Sequence, residues 1–168
     1  LLDSALPTLL VTDPPYGVSY AKTKDGIPQS GFINQRDNWG DVAGDDLCDA
    51  ALQSFLESAF SAAKDCALRE NAALYLWHVH LTQGFFAAAA AAAAADILIH
   101  RQIIWVKPGL LFGFGDYHWR HELCFYGWRR GHRPPVLGDR SQNTVWDLTP
   151  ETSTAERAHP TEKPVALF

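Results

Sequence analysis

No methionine occurs in these 168 residues, and only three cysteines do. The first absence leaves the chain without an initiator, as expected of a domain taken from a longer protein. The second excludes a disulfide framework. Cys48, Cys66 and Cys124 are odd in number and none stands in Cys-x-x-Cys spacing, so neither a stapled secreted fold nor a zinc ribbon is expected, and a reducing cytosol is the default compartment. No apolar run approaches the length of a membrane span, and the chain opens directly on strand-like sequence rather than on a leader, so no membrane partner is expected. Glycine pairs are scarce too: Gly113-Phe114-Gly115 is the only Gly-x-Gly, and it lacks the strand-then-helix setting of a nucleotide fingerprint.

Positive charge is also short overall, with a net charge of −5, but the deficit is uneven. Residues 1 to 100 carry five Lys/Arg against twelve Asp/Glu, whereas 101 to 140 carry seven, namely Arg101, Lys107, Arg120, Arg129, Arg130, Arg133 and Arg140, against three. Screening confines a surface field to about 10 Å at ordinary salt, so a local cluster is enough to contact phosphate. Lys107, Arg129, Arg130 and Arg133 are the candidate contacts.

What is present in quantity is apolar and aromatic: 47% of residues are hydrophobic, with six Trp and nine Phe. One domain over 1–168 with a sizeable core follows. Strand-like residues 8 to 12 precede a polar, glycine-bearing stretch from 17 to 44, too long for an ordinary connection and expected to be a mobile loop. Asp46 is placed to cap a helix with apolar spacing Leu47, Ala51, Phe55, Ala59, Ala63 and Ala67. A strand at 73 to 79, a helix from about 81 to 95 that contains nine consecutive alanines, and strands near 97 to 107 and 121 to 128 follow. The alternation predicts an α/β fold in three layers, a mostly parallel sheet with an antiparallel pair towards one edge.

The most informative residues are Asp13-Pro14-Pro15-Tyr16, between the apolar run Leu9-Leu10-Val11-Thr12 and Gly17. Two prolines cannot continue a central strand and hold the turn stiff instead. The turn then offers a carboxylate, a carbonyl on Pro14 and the flat ring of Tyr16, a set matched to an exocyclic amino group on a heterocycle: two acceptors for its two N–H bonds and a surface for stacking. A plain strand-ending turn has the same composition.

At the other end stands His159-Pro160-Thr161-Glu162-Lys163-Pro164-Val165-Ala166-Leu167. With the Asp-Pro-Pro-Tyr box before it, the order resembles the circularly permuted beta group of amino-methylating DNA methyltransferases, which methylate adenine N6 or cytosine N4. Ala73-Leu74-Tyr75-Leu76-Trp77-His78, Ile103-Ile104-Trp105-Val106-Lys107-Pro108 and Tyr117-His118-Trp119-Arg120-His121-Glu122 also fit, so the resemblance covers nearly the whole chain. It departs in one respect: the family's glycine-rich loop, of the form Asp-Pro-Phe-x-Gly-Ser-Gly, follows the His-Pro-Thr box and is missing here.

The resemblance implies a Rossmann-like methyltransferase sheet, incomplete in this chain, in a bacterial or phage-encoded enzyme of DNA modification. It implies S-adenosyl-L-methionine as cofactor, held by Asp13, Thr161, Lys163 and Pro164, and double-stranded DNA as partner. Asp13, Pro14, Pro15 and Tyr16 would be catalytic, and Tyr117 and Trp119 would wall the base pocket. Asp in the first position of the box favours adenine N6, with cytosine N4 as the alternative. Methyl transfer would be a direct displacement onto a base flipped from the stack, with no Cys nucleophile. Residues 129 to 158 stand where such enzymes carry target recognition; so short a segment implies modest discrimination, or discrimination shared in a homodimer. From another class, a non-catalytic methyltransferase-like nucleic-acid-binding module has the same motifs.

The histidines suggest a metal instead: His118-x-x-His121-Glu122, with His78-x-His80 elsewhere. On a strand His118 and His121 point to opposite faces, and the helical His-Glu-x-x-His pattern is absent, so no metal is expected.

Overall fold

A computed structural model describes residues 6–18, 23–24, 27–28, 43–66, 68–92, 95–111, 116–148 and 163–167. In chain order these form β1 (Leu9–Thr12), β2 (Thr23–Lys24), β3 (Ile27–Pro28), α1 (Asp49–Cys66), β4 (Ala73–His78), α2 (Gln83–Ala91), β5 (Ile97–Leu111), β6 (Trp119–Arg129), β7 (Val145–Asp147) and a 3-10 turn at Val165–Leu167. Most of the expected loop from 17 to 44 lies outside the described residues; β2 and β3 pair antiparallel within it.

Five strands make one open sheet in the order β1-β4-β6-β5-β7. β1 is parallel to β4 and β7 is parallel to β5, while β6 is antiparallel to both of its neighbours. Four strands therefore run one way and β6 alone runs back. The expected antiparallel pair is β5–β6, with only β7 outside it.

α1 begins at Asp49, three residues past the expected cap; a turn in which the Leu47 N–H bonds to the Gly44 carbonyl at 3.1 Å closes ahead of it. Its buried face is also rotated from the expected one. Leu52, Leu56 and Phe60 are buried and Phe55 is 41% exposed, because the stripe with the larger side chains removes more apolar surface from water. α2 ends at Ala91, short of the expected 95, where Ala92 leaves the helical region at ψ 144°. Its alanines let it lie close: Ala89 and Ala90 are fully buried beside Phe86 against α1 and the sheet.

The alternation along β4 assigns the two faces. Leu74 and Leu76 join the helix-side core with Leu52, Leu56, Phe60, Phe86 and Phe125, whereas Trp77 looks the other way, onto Ile103, Trp105, Cys124 and Leu167. Tyr75, Tyr126 and Trp146 extend that second, aromatic face. β5 serves both faces through a register shift between Ile99 and Arg101 opposite β6, after which Ile103 and Trp105 face the aromatic side. A second shift between Val106 and Leu111 spans Pro108, which has no N–H for the ladder.

Candidate active site

β1 stops at Asp13 because Pro14 and Pro15 cannot extend it, and the chain turns sharply at Gly17, where φ is +67°. A side chain there is excluded twice: the backbone is left-handed, and a Cβ would stand 2.4 Å from the Leu47 carbonyl oxygen. The Val18 N–H donates to Asp45 at 3.3 Å, and the Thr82 hydroxyl, which makes no cap bond to α2, donates to the Tyr16 carbonyl at 2.9 Å. The turn is thus fixed from both sides at the carboxyl ends of β1 and β4, the end of an α/β sheet at which ligands bind.

Here the two boxes meet. The Lys163 ammonium donates to Asp13 Oδ2, across 150 positions of sequence, and to the Tyr16 hydroxyl at 3.0 Å; that hydroxyl in turn donates to Asp13 Oδ1 at 2.7 Å. The Lys163 side chain is 3% exposed and the Asp13 side chain 34%, so the carboxylate faces both the ammonium and the outside. The ammonium also lies over the rings of Trp77, at 5.1 Å, and Tyr16, at 5.5 Å.

Glu122 extends the group. Its Oε1 binds the Lys107 ammonium, and its Oε2, which accepts no hydrogen bond, lies 3.4 Å from Lys163 Nζ. Two carboxylates and two ammonium groups form one neutral line from Asp13 at the exposed end to Lys107, with Lys163 buried between the carboxylates. Burial pushes the Glu122 carboxyl up, but Lys163 and Lys107 outweigh it and hold Glu122 below the usual carboxylate range. Burial, followed by the charges of Asp13 and Glu122, pushes the Tyr16 phenol far up, so it remains a donor. Burial likewise pushes the Cys124 thiol up to about 12, which keeps it protonated and a poor nucleophile.

Sequence reasoning names Glu122 only as the carboxylate of the pattern His118-x-x-His121-Glu122 and as the end of the 117–122 segment, not as a partner of Lys107 and Lys163. Glu122 shares its alternation along β6 with Cys124 and Tyr126 of the aromatic face, where a carboxylate requires partners, and only the folded arrangement shows that they are Lys107 and Lys163.

The other candidates divide by position. Trp119, 41% exposed, packs its ring 4.5 Å from His80, and Tyr117 is 92% exposed; both stand at the site end of the β5–β6 hairpin. Pro164 is buried beside Lys163; Thr161 lies outside the described residues, as does Gly113-Phe114-Gly115. Arg129 and Arg130, expected as phosphate contacts, do not lie beside Asp13. β6 runs backwards, so Arg129 is seven residues from Glu122, roughly 23 Å of strand, at the opposite end of the sheet. There Arg129 pairs with Glu70 at 3.6 Å and Arg130 with Asp96 at 3.3 Å. Arg133 lies at that end as well, since its charge acts on His100, which stacks on Trp128. Among the described residues no group of three or more His, Cys, Asp and Glu is placed to hold a metal ion, and no helix is long and apolar enough to cross a membrane.

No protein-family model matches the chain, and no curated protein does. Solved structures do. The crystal structure of the M1.HpyAVI–SAM complex superposes with a TM-score of 0.56 at 14% identity, covering 96% of this chain and 62% of that one. A second crystal structure of M1.HpyAVI gives a TM-score of 0.45 at 12% identity, over 55% of this chain and 49% of that one. The first likeness is one of fold: the sheet is Rossmann-like, and the chain spans 62% of that neighbour's length.

Proposed function

We propose that residues 1–168 form a catalytic domain, or part of one, that transfers a methyl group from SAM to the exocyclic N6 of an adenine flipped out of double-stranded DNA. One observation carries the reading. The Asp-Pro-Pro-Tyr turn and the His-Pro-Thr-Glu-Lys-Pro box, which carry the resemblance to the permuted amino-methyltransferases, meet through Asp13, Tyr16 and Lys163 at the carboxyl end of the parallel strands. A likeness of fold to a structure solved with SAM supports it.

The residues present fit such a cofactor. An amino-acid end that carries both charges needs a fixed cation and a fixed carboxylate side by side, and Lys163 and Asp13 are that pair, with Pro164 next in sequence and Thr161 two positions before. When bound, SAM supplies an electrophilic methyl group. The chain's own part is to hold the acceptor. Asp13 takes one N–H of the amino group and the Pro14 carbonyl the other, so the nitrogen lone pair, otherwise delocalised into the ring, turns to the incoming methyl. The Asp13 carboxylate then stabilises the positive charge that develops on nitrogen.

The duplex would lie against the site end of the β5–β6 hairpin, with Trp119 and Tyr117 beside the flipped base and Lys107 and Arg120 near the backbone. The expected target-recognition segment starts at the far end, at Arg129, and returns along β5. Its β7 pairs with Ile104–Val106, and the Trp105 indole bonds the Leu148 carbonyl at 3.0 Å, so only its later part reaches the site.

Asp13→Ala in the intact protein tests the assignment. Incorporation of labelled methyl from SAM into unmethylated DNA should fall by about 10²- to 10³-fold or more, as on loss of one preorganised electrostatic contact. Wild-type incorporation by the variant would refute the role of Asp13. Label recovered in N4-methylcytosine would move the substrate to cytosine, and no incorporation by the unaltered protein would leave a non-catalytic nucleic-acid-binding module.

A further inference from the structure

In the arrangement described, the acceptor's place on Asp13 is contested, because the carboxylate already holds the Lys163 ammonium on Oδ2 and the Tyr16 hydroxyl on Oδ1. A neutral amino group cannot displace a buried cation from a carboxylate unless the cation has another anion to go to, since an unpaired buried charge is strongly unfavourable, and in the cofactor-free protein, the form used in the test below, that anion must come from the chain itself. We propose that Glu122 is that anion: a positioning residue that receives the Lys163 ammonium when Asp13 takes up the amino group of the base. This rests on the function proposed above and adds a residue to it.

Three observations carry the inference. Glu122 Oε2 is buried without a hydrogen bond and lies 3.4 Å from Lys163 Nζ, so it is an acceptor already aimed at the ammonium. Glu122 Oε1 is anchored by Lys107, which keeps the carboxylate charged and fixes the direction of its free oxygen. The ammonium lies between the two carboxylates and is held from the side: the Tyr16 hydroxyl is 3.0 Å from Nζ, and the rings of Trp77 and Tyr16 lie under it. Among the described residues, the Cys124 thiol and the Tyr16 phenol also face this line; burial pushes both up, so both are neutral and neither competes with Glu122 for the ammonium. No proton or bond changes hands in the step; one ammonium exchanges one carboxylate for another.

The test is a double-mutant cycle in the intact, cofactor-free protein. The probe is a DNA duplex with 2-aminopurine next to the adenine that the unaltered protein methylates; its fluorescence rises when that adenine leaves the stack, whether or not transfer follows. Glu122→Gln keeps the shape and removes the anion, so Lys163 stays on Asp13 and the flipped fraction should fall by about tenfold. Lys163→Met removes the cation that must be parked, and in that background Glu122→Gln should have no further effect, within about twofold. An unchanged signal in Glu122→Gln alone, or the same loss in both backgrounds, overturns the proposal. A protein that methylates no adenine would overturn the function itself and would be seen before the cycle is begun.

Discussion

Tyr16 shows how far a motif can be read before coordinates exist and where the reading stops. From sequence its value is the ring, a surface on which a base stacks. In the fold the ring is partly used already: it meets Phe86 edge-on at 6.3 Å and touches both core clusters. Its hydroxyl, idle in a stacking role, links Asp13 and Lys163. Removing that hydroxyl leaves a buried ammonium short of an acceptor, worth about 1–3 kcal/mol, while the exposed Asp13 carboxylate, short of one donor, can turn to solvent. Tyr16→Phe is therefore expected to lower kcat/KM for methyl transfer by about 10- to 100-fold, where stacking alone would leave it nearly unchanged. Steady-state assays with labelled SAM decide between the two. Asp13, Tyr16 and Lys163 were legible because chemistry fixes them within short motifs. Glu122 was not, because its role depends on which strands lie beside β6.

At the scale of elements, existence was easier to read than direction. Each long strand was visible in its apolar run, but β7, only three residues long, carries no pattern of its own, and nothing local indicates that β6 is threaded backwards between β4 and β5. That direction decides where the basic charge lies. Arg120 enters β6 at the site end, exposed, with its Nε on the Lys107 carbonyl at 3.3 Å, whereas Arg129 and Arg130 leave β6 at the far end and meet Glu70 and Asp96. Arg120→Ala is expected to weaken DNA binding and to make the slope of log K against log salt shallower by up to about 0.9. Arg129→Ala with Arg130→Ala should leave that slope within experimental error, because those guanidinium groups face carboxylates. Salt titrations of the variants check this, and the opposite ranking would place the duplex along the far end of the sheet.

For the molecule as a whole, the alternation of strands and helices foretold an α/β sheet, but not how unequally its faces are covered. Both described helices pack together on one face, while the other carries aromatic side chains and the site. On the helix face, at the carboxyl end of β4, His78 is 2% exposed, stacked 3.9 Å from the Phe125 ring, with its Nε2 unbonded. Burial pushes its imidazole down to about 4, against a smaller upward pull from the Val79 carbonyl, whereas the unfolded chain titrates near 6.5. The fold thus favours neutral His78. Its contribution is complete above pH 6.5, is lost as pH falls from 6.5 towards 4, and amounts to about 3 kcal/mol across that window. Glu122, whose carboxyl is held low, acts in the same direction, but its contribution is lost only as pH falls through the ordinary carboxylate range and below, so between pH 6.5 and 5 the loss belongs to His78. His78→Phe keeps a ring against Phe125 and removes the titration. Urea melts at pH 7, 5.5 and 4.5 should show the unaltered protein losing stability steadily, while the variant stays nearly level. Parallel losses in the two proteins would mean that another group carries the acid sensitivity of this fold.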